Sequence, residues 1–169
     1  MQEQPYREDK DELSELLRKY TNLRKGLSHS FLEEEDFEKI IDYYDDHDDL
    51  KRAIAAAETG LEYFPYSAQL LIKKADLFIA TRKYAEALQL LEQASLFDAS
   101  NINLYILKTD AFLALDEQQK AVLILEEALL LFSGDERIEL LFELADVYDD
   151  YEEFDKVFDC LKLILEQEP

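Results

Sequence analysis

Residues that reverse the chain direction are scarce in this sequence, which has only three glycines and three prolines among 169 residues. An all-β fold needs turn residues about every 8–12 positions, so this composition excludes it. Tryptophan is absent and Cys160 is the only cysteine, which leaves no intramolecular disulfide framework and no cysteine-based metal cluster. Long stretches rich in Ala, Leu, Glu, Lys and Gln favour helix. The sequence therefore predicts an all-α protein.

Basic residues are few as well: 18 Lys and Arg stand against 40 Asp and Glu, and the formal net charge is −22 at pH 7. Such a field repels nucleic-acid phosphates and anionic lipid surfaces, attracts basic partners and keeps a protein soluble. No uncharged apolar run approaches the ~18–20 residues needed to cross a bilayer. We therefore expect a cytoplasmic protein that binds neither nucleic acid nor membranes.

Signatures of catalysis are also missing. The two histidines, His29 and His47, lie in predicted connectors, and no nucleophile elbow, phosphate-binding loop or metalloprotease motif is present. The acidic run at 45–49 lacks the glycine and the closing glutamate of an EF-type calcium loop, which favours a turn rich in helix caps. We expect no enzymatic activity, no cofactor and no metal site.

Apolar periodicity divides the chain into one N-terminal helix, at about 9–25, and four helix pairs. The first pair is interrupted by the acidic run at 45–49 and ends at Pro65. The remaining pairs are predicted at about 68–80 and 84–97, 102–115 and 118–132, and 137–149 and 153–167.

A period of 34 residues relates these pairs. Ala53, Ala87 and Ala121 are each 34 apart, and an aromatic column recurs at the same interval. Small residues let one helix approach the next closely while large residues fill the gaps, so coincident columns indicate a repeated helix pair. The aromatic column consists of Tyr44, Phe78 and Phe112, with Tyr148 following after 36 residues.

Over roughly residues 34–169 these columns resemble the tetratricopeptide repeat family. Pro65 and Pro169 fill the family's closing-proline position, whereas Ala99 and Ser133 replace it elsewhere. The resemblance implies a right-handed superhelix, since two helices alone cannot bury both of their faces. Its implied parts are a tail and capping helix at 1–33 and about four units at 34–67, 68–101, 102–137 and 138–169.

In this family the first helix of each pair lines a concave groove, so the groove positions follow from the register. The resemblance implies one central aspartate in every unit, a set we call the aspartate ladder: Asp42, Asp76, Asp110 and Asp146. Apolar and amide side chains are expected to flank it, namely Ile72, Ile106, Phe142, Ile79, Leu113, Gln69 and Asn103.

The resemblance implies a protein-binding scaffold, and the ladder favours a basic or basic–apolar segment as the ligand, because carboxylates pair with Lys and Arg. One subgroup of the family holds the carboxylate tails of chaperones through Lys, Arg and Asn on this face. Aspartate in the central column disfavours that ligand here. Three alternative roles stay open for the aspartates: ion pairs with Lys74 or Lys108 across adjacent units, solvation on a wide groove, or hydrogen bonds to neighbouring Tyr hydroxyls.

The last predicted helix suggests a different function, homotypic assembly. It carries a broad apolar surface that no later helix in the sequence covers, so either the chain is a piece of a longer array or another copy packs there. In the same alternative the groove itself is filled, either by the basic, apolar N-terminal helix or by a neighbouring copy of the chain. The apolar surface comprises Phe154, Val157, Phe158, Leu161, Ile164 and Leu165.

Overall fold

The computed structural model describes residues 5–27 and 31–167, with side chains over 12–27 and 31–166; His29 and Pro169 lie outside these ranges. The described residues form helices and no strand, which confirms the predicted all-α fold. The helices are α1 (Pro5–Arg24), α2 (Glu34–Asp46), α3 (Leu50–Tyr63), α4 (Ala68–Ala80), α5 (Tyr84–Ser95), α6 (Ile102–Ala114), α7 (Gln118–Leu129), α8 (Asp135–Asp150) and α9 (Phe154–Gln167).

The helices pack as four consecutive pairs, α2 with α3, α4 with α5, α6 with α7 and α8 with α9. The second helices α3, α5 and α7 also contact the first helix of the following pair. The first helices α2, α4, α6 and α8 contact one another in turn, whereas the described second helices do not. The stack therefore curves toward the first helices, which line its concave side.

The N-terminal helix α1 contacts α2 and no other described helix. It buries Leu16 and Tyr20 in the core of the first pair, where Tyr20 meets the Phe37 ring edge-on at 6.3 Å. α1 therefore lies at the α2 end of the array, and among the described residues it does not fill the groove of its own chain. Its role as a cap stays a prediction.

One backbone turn recurs inside every pair. Asp48, Arg82, Asp116 and Glu152 all have positive φ, between 56° and 61°. In each pair the next residue donates its N–H to the carbonyl of the residue in the aromatic column, as Lys83 does to Phe78 at 2.7 Å. The acidic run at 45–49 thus belongs to this repeated turn. The fourth unit is predicted to begin at 138, whereas α8 begins at Asp135.

Gly60 shows why the small columns are small. A Cβ atom added to this residue would lie 3.1 Å from side-chain atoms of both Phe37 and Leu70, because α3 packs tightly against α2 and α4. Alanine takes the same position in the next pairs, where Ala94 and Ala128 are fully buried. The close approach of helices therefore rests on this column.

We expect Gly60→Leu to lower the free energy of unfolding by about 1–3 kcal/mol, the usual cost of forcing methylene groups into a packed core. Urea unfolding followed by circular dichroism measures the effect. Lys51→Leu is the matched control, since Lys51 is exposed on the same helix. Equal stability of the two variants would contradict the tight packing at Gly60.

Candidate protein-binding groove

The concave layer brings the aspartate ladder together. Each of its four members lies on a different first helix, and all four side chains are exposed. Within the ladder the Asp76 charge raises the pKa of Asp110, and outside it Asp45 acts likewise on Asp76 and Asp110 acts on Glu143. The acidic residues of neighbouring first helices are therefore close enough to interact, and together they form a row of carboxylates along the groove.

The central ladder residues are partly desolvated by the surrounding helices even though water reaches them. Burial raises the pKa of Asp76, with Asp45 raising it further and Lys73 lowering it. Burial likewise raises the pKa of Asp110, and the Asp76 charge adds to it. Neither carboxylate forms an ion pair with another described residue. The groove therefore holds concentrated negative charge that its own side chains do not neutralise.

Glu143 belongs to this row, although the 34-residue columns do not predict it. Burial raises its pKa, and the charges of Asp110, Asp146 and Glu139 raise it further. The fourth pair is displaced by two residues from the 34-residue period, so Glu143 falls in the column that holds Lys73 in the second pair and Leu107 in the third. The predicted groove positions did not include this column, although Lys73 in it also reaches a groove carboxylate.

Lys73 makes the ladder non-uniform. Its Nζ lies 2.5 Å from Oδ1 of Asp42, and its side chain is only 21 % exposed. Its charge also lowers the pKa of Glu38, which burial and neighbouring carboxylates raise. Asp42, the first residue of the ladder, is therefore neutralised by Lys73, and the unpaired carboxylates begin at Asp76.

The alternative in which Lys74 or Lys108 pairs with the ladder is wrong. Nζ of Lys74 lies 3.4 Å from Glu58, and Nζ of Lys108 lies 2.9 Å from Glu92. Both glutamates belong to second helices of the array. The long side chains of these lysines thus run between layers and leave Asp76 and Asp110 without an ion-pair partner.

The flanking residues differ in how much surface they offer. Ile72 is only 4 % exposed and packs in the core, so it contributes support rather than contact area, contrary to its assignment as a groove residue. Phe142 is 49 % exposed, and Asn103 is exposed at the start of α6. Gln69 accepts a hydrogen bond from Asn101 at 3.2 Å. Ile79, Ile106 and Leu113 are half-buried against the core.

Other site types find little support in the described residues. No group of three or more His, Cys, Asp or Glu side chains there is arranged to hold a metal ion. None of the described helices has the length and hydropathy to cross a membrane. Burial raises the pKa of the Cys160 thiol, and the nearby Asp159 charge adds to it, so this thiol is a poor nucleophile.

Residues 46–111, from the end of α2 through most of α6, match the family model of the tetratricopeptide repeat. That segment is built of tetratricopeptide repeats. The match confirms the family predicted from the 34-residue columns, and it covers α3, the whole second pair and most of α6. The irregular fourth pair lies outside the matched segment.

Solved structures of tetratricopeptide proteins share the fold at low sequence identity. The Thermus thermophilus protein TTC0263 aligns with a TM-score of 0.69 and 18 % identity, over 91 % of this chain and 81 % of that one. YrrB, described as having an unusual peptide-binding site, aligns at 0.61 with 19 % identity, over 79 % and 68 %. The second such domain of human RPAP3, in complex with the HSP70 peptide SGPTIEEVD, aligns at 0.58 with 23 % identity, over 66 % and 91 %. No curated protein matches the sequence.

Proposed function

We propose that this chain is a non-catalytic scaffold whose concave groove binds a basic or basic–apolar protein segment. The observation that carries the proposal is the row of unpaired carboxylates formed by Asp76, Asp110, Glu143 and Asp146 on adjacent first helices. A ligand's Lys and Arg side chains would supply the counterions that the described residues lack. The net charge of −22 would raise the rate of encounter with such a ligand.

The row also suggests the spacing of the ligand's charges. Packed helices lie about 8–10 Å apart, and an extended chain advances about 3.3–3.6 Å per residue. A lysine or arginine at about every third position of an extended segment would therefore meet successive carboxylates. Apolar residues beside the cations would contact Phe142 and the half-buried Ile106.

A carboxylate-tail ligand is disfavoured by the same geometry. The human RPAP3 domain holds a peptide ending in EEVD, but it shares only the fold with this chain. Here the central column is acidic, and the groove lysine Lys73 is already paired with Asp42. An acidic tail would meet like charge with no available cation at the centre of the groove.

Titration of a fluorescent peptide with three lysines at every third position, capped at both ends, tests the proposal. Binding that is lost when Asp76 and Asp110 are both replaced by lysine supports it. Undiminished binding by that variant would refute the assignment of the groove.

A second candidate function, homotypic assembly, is favoured by the exposed face of α9. Phe158 and Leu165 are 68 % and 70 % exposed, and Leu161 is 42 % exposed. In α7 the corresponding residue, 36 positions before Leu161, is Leu125. Leu125 is fully buried, and α7 is covered by the first helix of the next pair. The face that α9 leaves open is therefore the one that the other second helices cover with a following helix.

If another copy covers this face, Phe158→Glu should convert a concentration-dependent dimer into a monomer in sedimentation-velocity runs. Burying a glutamate in an apolar contact costs several kcal/mol. The dimer dissociation constant should therefore rise on the order of 100-fold, and the variant should be monomeric at accessible concentrations. Leu123→Glu on the outer face of α7, where Leu123 is 56 % exposed, is the control. A wild-type protein that remains monomeric throughout would exclude homotypic assembly.

A further inference from the structure

A cavity of about 640 Å³ lies between α1 and α2, beside the first rung of the ladder. Its apolar wall comes from Leu13, Leu16 and Leu17 of α1, and Tyr43 of α2 faces them. Asp42, the first residue of the ladder, also lines this cavity, so the cavity adjoins that end of the groove. The volume falls within the about 300–1,000 Å³ typical of sites that take a side chain or small ligand.

Contacts within α2 and between the two helices hold the walls in place. The Tyr43 ring lies 4.3 Å from that of His47, centroid to centroid, and Nδ1 of His47 is 2.7 Å from the Tyr43 carbonyl oxygen. Lys39 Nζ pairs with Glu12 at 3.0 Å and so ties α1 to α2 at the rim. A site whose walls are already ordered loses little entropy when it is filled.

The charges at the rim indicate what kind of side chain enters. Two of the three acidic groups there are already paired, Glu12 with Lys39 and Asp42 with Lys73. The third, Asp46, is exposed and forms no ion pair with another described residue. At this end of the groove a ligand therefore contacts the apolar wall and the neutralised carboxylate of Asp42. The charge of Asp46 at the rim repels acidic ligand residues.

We propose that this cavity takes an apolar or aromatic side chain from the same basic segment that lies in the groove, an inference that rests on the proposed function. Because Lys73 already neutralises Asp42, the ligand's cations begin at Asp76, and an apolar residue occupies the preceding position. Neighbouring helices are about 8–10 Å apart, which places that residue about three positions from the first cation.

Two peptides, capped at both ends, test the assignment. Both peptides contain two lysines three positions apart. Each also has one test residue three positions before the first lysine and another three positions after the second. Both test residues are Phe in one peptide and Ala in the other. Using both flanks makes the comparison independent of the direction in which the peptide binds. We expect the Phe peptide to bind about 10-fold more tightly, the gain typical of burying one aromatic side chain.

Two variants on different helices locate that gain. Leu13→Gln and Tyr43→Ala should each remove the advantage of the Phe peptide while the affinity for the Ala peptide stays unchanged. Leu123→Gln, at an exposed apolar position on α7, is the control and should preserve the advantage. Equal affinity of the wild type for the two peptides overturns the cavity proposal and leaves the groove proposal standing. Failure of both peptides to bind overturns the groove proposal, and the cavity proposal falls with it.

Discussion

The double variant Asp76→Lys/Asp110→Lys is expected to bind a capped tri-lysine peptide at least about 100-fold more weakly than the wild type. A hydrogen bond to a charged group contributes about 1.5–3 kcal/mol, and the variant loses two of them. Because every 1.4 kcal/mol changes the affinity tenfold, the loss is at least about 100-fold. The introduced lysines would also repel the ligand. Fluorescence anisotropy at fixed ionic strength measures the loss, since salt screens exposed charges.

The matched control separates the groove from the bulk charge. Glu86→Lys with Glu126→Lys changes the net charge by the same amount on exposed positions of the second helices α5 and α7. We expect this control to weaken binding only slightly and mainly through a slower association rate. If both double variants lose affinity equally, binding follows from the overall field and the groove is not the site.

The fold was predictable because its signals are local and repeated. The period of 3.6 placed α4 at 68–80, the range that the structure shows, and the 34-residue columns gave the pairing of helices. Gly60 and the alanines in its column mark close helix contacts, which require small side chains wherever they occur. Such signals depend on backbone geometry, which the sequence constrains strongly.

The electrostatics of the groove were less predictable because they depend on side-chain direction. Lys73 and Lys74 are adjacent in sequence, yet Lys73 pairs with Asp42 in the groove whereas Lys74 pairs with Glu58 on the other layer. Consecutive helical residues point about 100° apart, so a register error of one residue exchanges their roles. Glu143 lies in the same column as Lys73, next to the predicted column of Ile106 and Phe142, so its direction was equally hard to predict. The unit boundaries and the identity of the ligand stay predictions.

Acidification is expected to move stability and peptide affinity in opposite directions. Burial and neighbouring carboxylates raise the pKa values of Asp76, Asp110 and Glu143 in the folded state. A carboxyl group with a raised folded pKa binds its proton at a higher pH than it does in the unfolded chain. Stability from these groups therefore increases as the pH falls through the folded pKa values, and it is lost as the pH rises.

The bound peptide reverses this preference. Its lysines stabilise the ionised carboxylates, so binding lowers their pKa values and releases protons. Between about pH 7 and about pH 4, where ordinary carboxyl groups begin to protonate, the affinity should fall at least about tenfold. Urea unfolding and anisotropy titrations across the same buffers measure the two trends side by side.

A neutral ladder variant identifies the titrating groups. Asp110→Asn with Glu143→Gln should raise the free energy of unfolding at pH 7, because it removes two partly desolvated charges, and it should flatten the dependence of both quantities on pH. Glu86→Gln with Glu126→Gln removes the same charge from exposed positions on the second helices and should leave both dependences close to those of the wild type. If the ladder variant keeps the wild-type pH dependence, or if stability and affinity fall together on acidification, the carboxylates of the groove are not the groups that respond.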